Sequence, residues 1–267
     1  KDTRLDPIGT VLIGAAALLL MVPLLQDSAS GRSWWLMGPG AALIVVFVAW
    51  ERRFAARGRQ PVMDLALFRQ RSYTLGMTIS TSYFGGYSAL FIILTLTLQQ
   101  GLHYSPLAAG LTQLPFAVGE TVAAAIGGRM VNRFGRVVPA VGVACTMAGV
   151  GAAGVLGTWT YSIPYGWVIA PALLVGGIGA GLTISPNQAH TLAQVPVSGG
   201  GSAAGVMQTS QRLSSALGIA IVSAVFFARV SHGGDYLPAL SIGLWVCVGI
   251  QAIALVAALA DLALTRR

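Results

Sequence analysis

The sequence has little charge for its length. Of 267 residues, 16 are lysine or arginine and 8 are aspartate or glutamate, so charged side chains make up only 9% of the chain. The surface of a soluble domain is usually about 25–35% charged, which this sequence cannot supply. Hydrophobic residues account for 55% of it, with a mean hydropathy of +0.74. The composition excludes a soluble globular domain and indicates an integral membrane protein.

Cysteine and histidine are equally scarce. The two cysteines, Cys145 and Cys247, each lie in an apolar run among small residues, which is typical of buried packing residues. The three histidines fall at separate predicted helix ends and loops, so no two of them could bind one metal ion. No serine–histidine, paired-aspartate or metal-binding group occurs within the apolar runs. We therefore expect no enzyme activity, no cofactor and no metal.

Eight apolar runs are long enough to cross about 30 Å of hydrocarbon, which takes roughly 20 residues of helix. Each should be an α-helix, because hydrocarbon tolerates only helices or closed barrels and no alternating pattern of a barrel strand is present. Glycine is abundant, with 34 residues, and within membranes small residues let helices approach closely. The predicted spans are approximately 7–26, 34–50, 72–98, 106–128, 137–157, 166–189, 203–229 and 238–260.

The basic residues predict the orientation of the spans. The formal net charge is +8, but the charges form short clusters between apolar runs, so a nucleic acid is not an expected partner. If the spans alternate, thirteen basic residues lie on the side of Lys1, two lie on the other side, and Arg212 lies within a span. Such a split is typical of the cytoplasmic side of a membrane protein. Both ends of the chain and the 129–136 turn should therefore be cytoplasmic.

That turn carries a motif. The stretch "GGRMVNRFGR" resembles the cytoplasmic-loop signature of the major facilitator superfamily, a glycine followed by Asp-Arg-x-Gly-Arg and a further base. It departs from the signature in two places, with asparagine for aspartate and valine for the last base. A role in topology and anionic-lipid contact alone is the alternative interpretation. The matching positions are Gly128, Asn132, Arg133, Gly135 and Arg136.

Four further segments resemble the fourteen-span drug:proton antiporter branch of that family: "PVMDLALFRQRSY", "LTLQQGLHYSPLAAGLTQLP", "GGIGAGLTISPNQ" and "GSAAGVMQTSQRLSSALGIAI". The resemblance implies spans seven to fourteen of such a protein. Residues 1–50 would be its additional hairpin, 51–71 a basic amphipathic cytoplasmic linker, and 72–267 a six-helix half made of two inverted three-helix repeats. An N-terminal six-helix half, absent from this chain, would be a partner.

Polar residues are unevenly distributed among the last six spans. The third, fourth, sixth and seventh spans carry polar stripes, whereas the fifth and eighth are nearly apolar. We expect the first group to line an aqueous substrate cavity and the second to face lipid, although isolated polar groups also serve to join helices. The cavity candidates are Tyr83, Tyr87, Gln113, Asn187, Gln208 and Gln211.

Glu120 and Arg212 are the only ionisable groups with long apolar sequence on both sides. A charge at the middle of a membrane costs about 3 kcal/mol or more, so each should have a partner or contact water. Counted from the inner ends of their spans, both lie about 13 Å deep. They are candidates either for a structural ion pair or for proton coupling through the Glu120 carboxyl group, and Arg212 could instead pair with the missing half.

The sequence thus predicts the C-terminal part of a proton-coupled exporter of drugs or other small hydrophobic molecules, working by alternating access in the cytoplasmic membrane. Its expected partners are a small-molecule substrate, protons, membrane lipid and the missing half. The alternative is a membrane-embedded binding or assembly module without transport activity of its own.

The orientation can be tested by cysteine labelling. In a variant without Cys145 and Cys247, single cysteines at Asn132 and Ser30 should react oppositely with an impermeant thiol reagent added outside intact cells. The cysteine at 30 should be labelled and that at 132 protected, because the arginine clusters hold the latter in the cytoplasm. Labelling of the cysteine at 132 alone would reverse the assigned orientation.

Overall fold

A computed structural model describes residues 7–25, 34–56, 65–157, 164–193, 195–196 and 199–265. These ranges form eight α-helices and contain no β-strand. Two short 3-10 segments, Trp34–Leu36 and Leu65–Arg69, precede the second and third helices, and a π-helical turn, Thr97–Gly101, follows the third. The helices are α1 (Pro7–Leu25), α2 (Met37–Ala56), α3 (Arg71–Leu96), α4 (Pro106–Phe134), α5 (Val137–Leu156), α6 (Tyr165–Leu192), α7 (Gly200–Gly233) and α8 (Tyr236–Thr265).

Each predicted span corresponds to one helix, which confirms the all-helical membrane fold. Five helices of the described ranges are long and apolar enough to cross a membrane: α3 with its π-helical turn, α5, α6, α7 and α8. The main difference is at the charged ends. Helix α2 continues to Ala56 and α4 to Phe134. Arg52 and Arg53 therefore lie on a helical extension of α2, and Arg129 and Arg133 lie on one of α4.

The ends of α4 follow from its sequence. The Ser105 hydroxyl oxygen accepts a hydrogen bond from the Ala108 backbone N–H at 3.2 Å, and Pro106 occupies the first turn, where its missing N–H is not needed. At the other end Gly135 has φ 55° and ψ −131°, a backbone conformation that residues other than glycine rarely adopt. This glycine lets the chain reverse at once into α5.

Helices α3–α5 and α6–α8 form two triplets that interlock. Helix α3 packs against α7 and α8 of the other triplet, and α6 correspondingly packs against α4 and α5. Helices α3 and α6 touch each other, as do α5 and α8. If α3, α4 and α5 are exchanged with α6, α7 and α8, in that order, the same pairs of helices are in contact. Because successive helices joined by short connections run antiparallel, the second triplet is inverted relative to the first.

Glycine makes the tightest of these contacts. A Cβ atom added to Gly218 of α7 would overlap the backbone of Gly85 in α3, and one added to Gly177 of α6 would overlap the Phe116 carbonyl group of α4. Gly149 of α5 and the neighbouring α6 backbone are equally close. The sequence "GGIGAG" is therefore a packing surface that brings α6 against two helices at once.

Helices α1 and α2 pack on each other, and α1 also reaches α7. The end of the predicted cytoplasmic linker contacts the helix bundle through Leu67. Leu67 is 3% exposed and packs in a small cluster with Tyr73, Met77 and Met207. The first part of the linker is the end of α2, and residues 57–64 lie outside the described ranges.

The glycine contacts predict a difference between two substitutions in one helix. Gly218→Ala should lower the unfolding temperature in detergent, because its methyl group has to displace the α3 backbone. The free energy of unfolding should fall by about 1–3 kcal/mol. Gly205→Ala is the matched control, since nothing lies within 4 Å of its added Cβ, and it should be neutral or slightly stabilising. Equal effects of the two substitutions would contradict the packing described above.

Candidate functional site

The Glu120 carboxylate lies between α4 and α3. The Tyr87 hydroxyl of α3 donates a hydrogen bond to Glu120 Oε2 at 2.9 Å. Glu120 is half-buried, and its backbone carbonyl group is in close contact with Gly181 of α6. The absence of a side chain at Gly181 brings α6 directly against α4 at this level. The rotation of α4 is thereby fixed, and the Glu120 side chain is directed towards α3.

Aromatic rings surround this hydrogen bond. The Tyr87 ring contacts Phe84 at 5.5 Å, Phe91 at 5.3 Å and Phe116 at 6.0 Å, measured between ring centroids. Phe91 and Phe116 meet edge to face at 5.1 Å across the two helices. Tyr83 lies one turn before Tyr87 in α3, and the centroids of the two rings are 5.7 Å apart. We call these five rings the aromatic cluster; it surrounds the ring of Tyr87, whose hydroxyl group contacts Glu120.

Tyr83 differs from Tyr87 in its partner. It is fully buried, and its hydroxyl group is 3.1 Å from Thr146 Oγ1 of α5. Thr146 itself is fully buried and also bonds to the α5 and α6 backbones. The polar groups of α5 and α8, including Ser241 and Gln251, are buried between helices in this structure. Of these, Ser241 donates a hydrogen bond to the Gly154 carbonyl oxygen of α5 at 2.6 Å, which joins α8 to α5.

Three other cavity candidates hold helices together. Gln113 donates to Thr95 Oγ1 of α3 at 3.1 Å, next to the aromatic cluster. Asn187 is buried and donates to the Gly76 carbonyl oxygen at 2.9 Å, while Gln211 is buried and donates to Ser80 at 2.5 Å. Gln113 and Glu120 thus lie along the same α3–α4 boundary, whereas the other two residues lie where α3 meets α6 and α7.

Gln208 and Arg212 are exposed, one turn apart on α7. In the described part of the chain, no ion pair joins Arg212 to Glu120. The structure therefore brings Glu120 together with the cavity candidate Tyr87 and leaves Arg212 on a free surface of the bundle. The pair between Glu120 and Arg212 stays a prediction.

The loop motif is held by its last arginine. Arg136 forms an ion pair with Asp261 near the end of α8, and its Nη2 donates to Ser72 Oγ of α3 at 2.7 Å. Gly128 and Arg133 are exposed, Gly135 makes the turn, and the side chain of Asn132 lies outside the described residues. One side chain thus ties the α4–α5 turn to two other helices at the same end of the bundle.

An apolar groove lies between α4 and α6 at the opposite end of the bundle. It has a volume of about 580 Å³. Tyr104 and Thr112 provide polar groups, and Trp167 is largely exposed at its edge. The groove does not include Glu120 or the aromatic cluster, and its apolar lining suits contact with other hydrophobic helices or lipid.

Comparison with known proteins adds to this geometry. Residues 7–219 match the family model described as Major Facilitator Superfamily, which is most of the chain. The chain belongs to the major facilitator superfamily. The resemblance seen in the sequence is therefore confirmed at the level of the family.

Individual relatives of this superfamily are similar over most of the chain. The probable actinorhodin transporter of Streptomyces coelicolor is 34% identical over 236 residues, covering 84% of this chain and 39% of that protein. The multidrug resistance protein Stp of Mycobacterium tuberculosis is 30% identical, covering 74% and 35% respectively. The quinolone resistance protein NorB of Staphylococcus aureus is 27% identical, covering 95% and 54%. The chain thus spans about one third to one half of the length of these three relatives.

Two interactions of the site were not predicted from the sequence. Tyr87 and Glu120 were candidates in separate roles, and their hydrogen bond was not expected. The ion pair between Arg136 and Asp261 was not expected either. Asp261 offered a usable signal, because it is an acid at the inner end of the last span, on the same predicted side as the arginine cluster. The Tyr87 contact offered none, since helix rotation decides which of several polar residues meets Glu120.

The Arg136 contacts predict a measurable coupling. Arg136→Gln and Asp261→Asn should each lower the free energy of unfolding in detergent. The double variant should lower it by no more than the more damaging single variant does. The coupling should be about 1–3 kcal/mol, because the two side chains are only 20% and 11% exposed. Arg133→Gln is the matched control, since Arg133 is exposed on the same loop. Strictly additive losses for Arg136 and Asp261 would contradict the pairing.

Proposed function

We propose that the chain is the C-terminal part of a proton-coupled secondary transporter that exports drugs or other small hydrophobic molecules by alternating access. Membership in the major facilitator superfamily supports a transporter. The relatives named for actinorhodin transport, for multidrug resistance and for quinolone resistance support the export of a drug or another small molecule. In this mechanism the two halves of the protein would rock around a site at the middle of the membrane.

The observation that carries the coupling role is the position of Glu120. It is an acid deep within an apolar helix, half-buried, and hydrogen-bonded to Tyr87 of another helix. Acids in such positions are costly and typically mark proton or ion pathways. A carboxyl group that gains or loses a proton there changes the local charge by one unit in a region where charge interactions are strong.

The aromatic cluster next to Glu120 supports the substrate class. Its rings would offer a hydrophobic molecule a large contact area with few directional demands. Gln113 would supply a hydrogen-bonding group at the same boundary. We include Tyr83, Tyr87, Asn187, Gln208 and Gln211 as further cavity residues of the complete transporter, in which helix rearrangement would expose those now used between helices.

The remaining parts of the proposal concern assembly and location. The chain would work with an N-terminal six-helix half, with residues 1–50 as an additional hairpin and 51–71 as a cytoplasmic linker. It would lie in the cytoplasmic membrane with both ends inside, surrounded by lipid. The exposed surface of α7 that carries Gln208 and Arg212 would face the other half, where Arg212 could find a partner.

A second candidate function is a membrane-embedded binding or assembly module that does not transport. It is favoured by the coverage of the relatives, because the chain spans only 35% to 54% of those compared above. A flux assay in vesicles, performed on this chain alone and together with an N-terminal half, would distinguish the two. Substrate-dependent flux from the combination alone would support the transporter, and binding without flux in both cases would favour the module.

The coupling role is tested by Glu120→Gln in the full-length protein. The substitution keeps the shape and hydrogen bonding of the side chain but removes its ability to release a proton. We expect normal abundance in the membrane, loss of efflux driven by a pH gradient, and retained substrate binding or downhill exchange. Asp235→Asn, the same chemical change at an exposed residue after α7, should leave all three unchanged.

The result also decides between coupling and a structural ion pair. If Glu120 only compensates Arg212, the single variant should lose abundance and thermal stability, by about 3–5 kcal/mol for a truly buried pair. Adding Arg212→Gln should then restore folding. Full proton-driven efflux by well-expressed Glu120→Gln would rule out the coupling role.

A further inference from the structure

The boundary between α3 and α4 differs from the other main helix contacts of the bundle. The glycines of α3 that make close contacts face α6, α7 and α8, and those of α4 face α6. Neither helix presents a close-packed glycine to the other. They are therefore held together by side chains over a wider gap, which we call the α3–α4 seam.

Few interactions cross this seam. Polar contact comes from Tyr87 with Glu120, at 2.9 Å, and from Gln113 with Thr95, at 3.1 Å. Apolar contact comes from Phe116 of α4 against the rings of Tyr87 and Phe91. A seam that depends on a few side chains can separate at lower cost than one in which two backbones touch, because no close-packed surface has to be broken.

We propose that Tyr87 is a positioning residue for Glu120, whose hydroxyl group links the charge state of that carboxyl group to the separation of α3 and α4. The inference rests on the proposed coupling role of Glu120. It assigns to Tyr87 a task beyond lining a cavity, namely to convert protonation of one helix into movement of its neighbour.

The chemistry of the hydrogen bond supports this role. A phenol that donates to a carboxylate makes a charge-assisted bond, roughly twice as strong as a bond between neutral groups. Protonation of Glu120 removes that charge and weakens the contact across the seam. A cationic group of a bound molecule would compete for the same carboxylate oxygen. Either event loosens α4 from α3 at this level, while Gly181 keeps α4 in contact with α6.

The other titratable groups near Glu120 are few. On α3 they are Tyr87 and Tyr83, and the latter bonds Thr146 instead. Helix α6 carries Tyr165 and His190 close to its two ends, far along the helix from this level. Helix α5, which also packs against α4, carries Cys145. Of the titratable groups named here, the Tyr87 hydroxyl group is the one hydrogen-bonded to Glu120.

The test measures the seam directly, in the full-length protein without its native cysteines. Spin labels on cysteines replacing Ile92 of α3 and Ala117 of α4, which are exposed, report the separation in liposomes with equal pH on both sides. In the otherwise unchanged protein, the short-distance population should be larger at alkaline than at acidic pH. Tyr87→Phe keeps the ring and removes only the hydroxyl. It should reduce the short-distance population at alkaline pH by about tenfold and abolish its pH dependence.

Tyr83→Phe is the matched control, because it removes a hydroxyl from the same aromatic cluster that does not contact Glu120. It should retain the pH dependence, and Glu120→Gln should lose it. An unchanged response in Tyr87→Phe, or an equal loss in Tyr83→Phe, would overturn the role of the Tyr87 hydroxyl. Tyr87→Phe could fail to accumulate in the membrane, and Glu120→Gln then provides the test. If the distance between α3 and α4 still depends on pH in Glu120→Gln, the role of the Tyr87 hydroxyl group is overturned. Efflux by Glu120→Gln tests the coupling proposal separately, because the distance measurement requires no transport.

Discussion

Helices α3 and α6 each pack closely against the backbones of two helices from the opposite triplet. Glycine residues allow these close backbone contacts. At Gly85 with Gly218, and at Gly177 with Phe116, a single added methyl group would overlap main-chain atoms. Within a membrane, apolar side chains gain little by leaving lipid, so close van der Waals contact has to supply the association. The rotation of each helix about its own axis is set by these contacts, and with it the direction of its other side chains.

Helix α4 shows how this constraint reaches the candidate site. Its glycine-lined side is occupied by α6, so Glu120 turns towards α3, where Tyr87 meets it. The same arrangement leaves α3 and α4 without a close backbone contact of their own. The bundle thus combines firm boundaries, where glycines meet backbones, with one boundary next to the site that depends on side chains. An acid placed at that boundary is well situated to influence its width.

The end of the bundle that carries the α4–α5 turn is organised differently, by charge. Arg136 joins the α4–α5 turn to Asp261 of α8 and to Ser72 of α3. This one arginine holds three parts of the bundle together. Within the loop, Arg133 is exposed, whereas Arg136 is bound to the protein.

The sequence by itself determined the number, positions and helical character of the spans, because hydrocarbon leaves the backbone no other way to satisfy its hydrogen bonds. It also identified the family, the loop motif and the two unusual residues, Glu120 and Arg212. The partners of these groups were decided only by the tertiary structure. Sequence spacing places Glu120 on a helix face and at a depth, but Tyr87 and Arg212 are both compatible with that placement. The choice depends on how α6 rotates α4, through glycine contacts between residues about 60 positions apart in the chain.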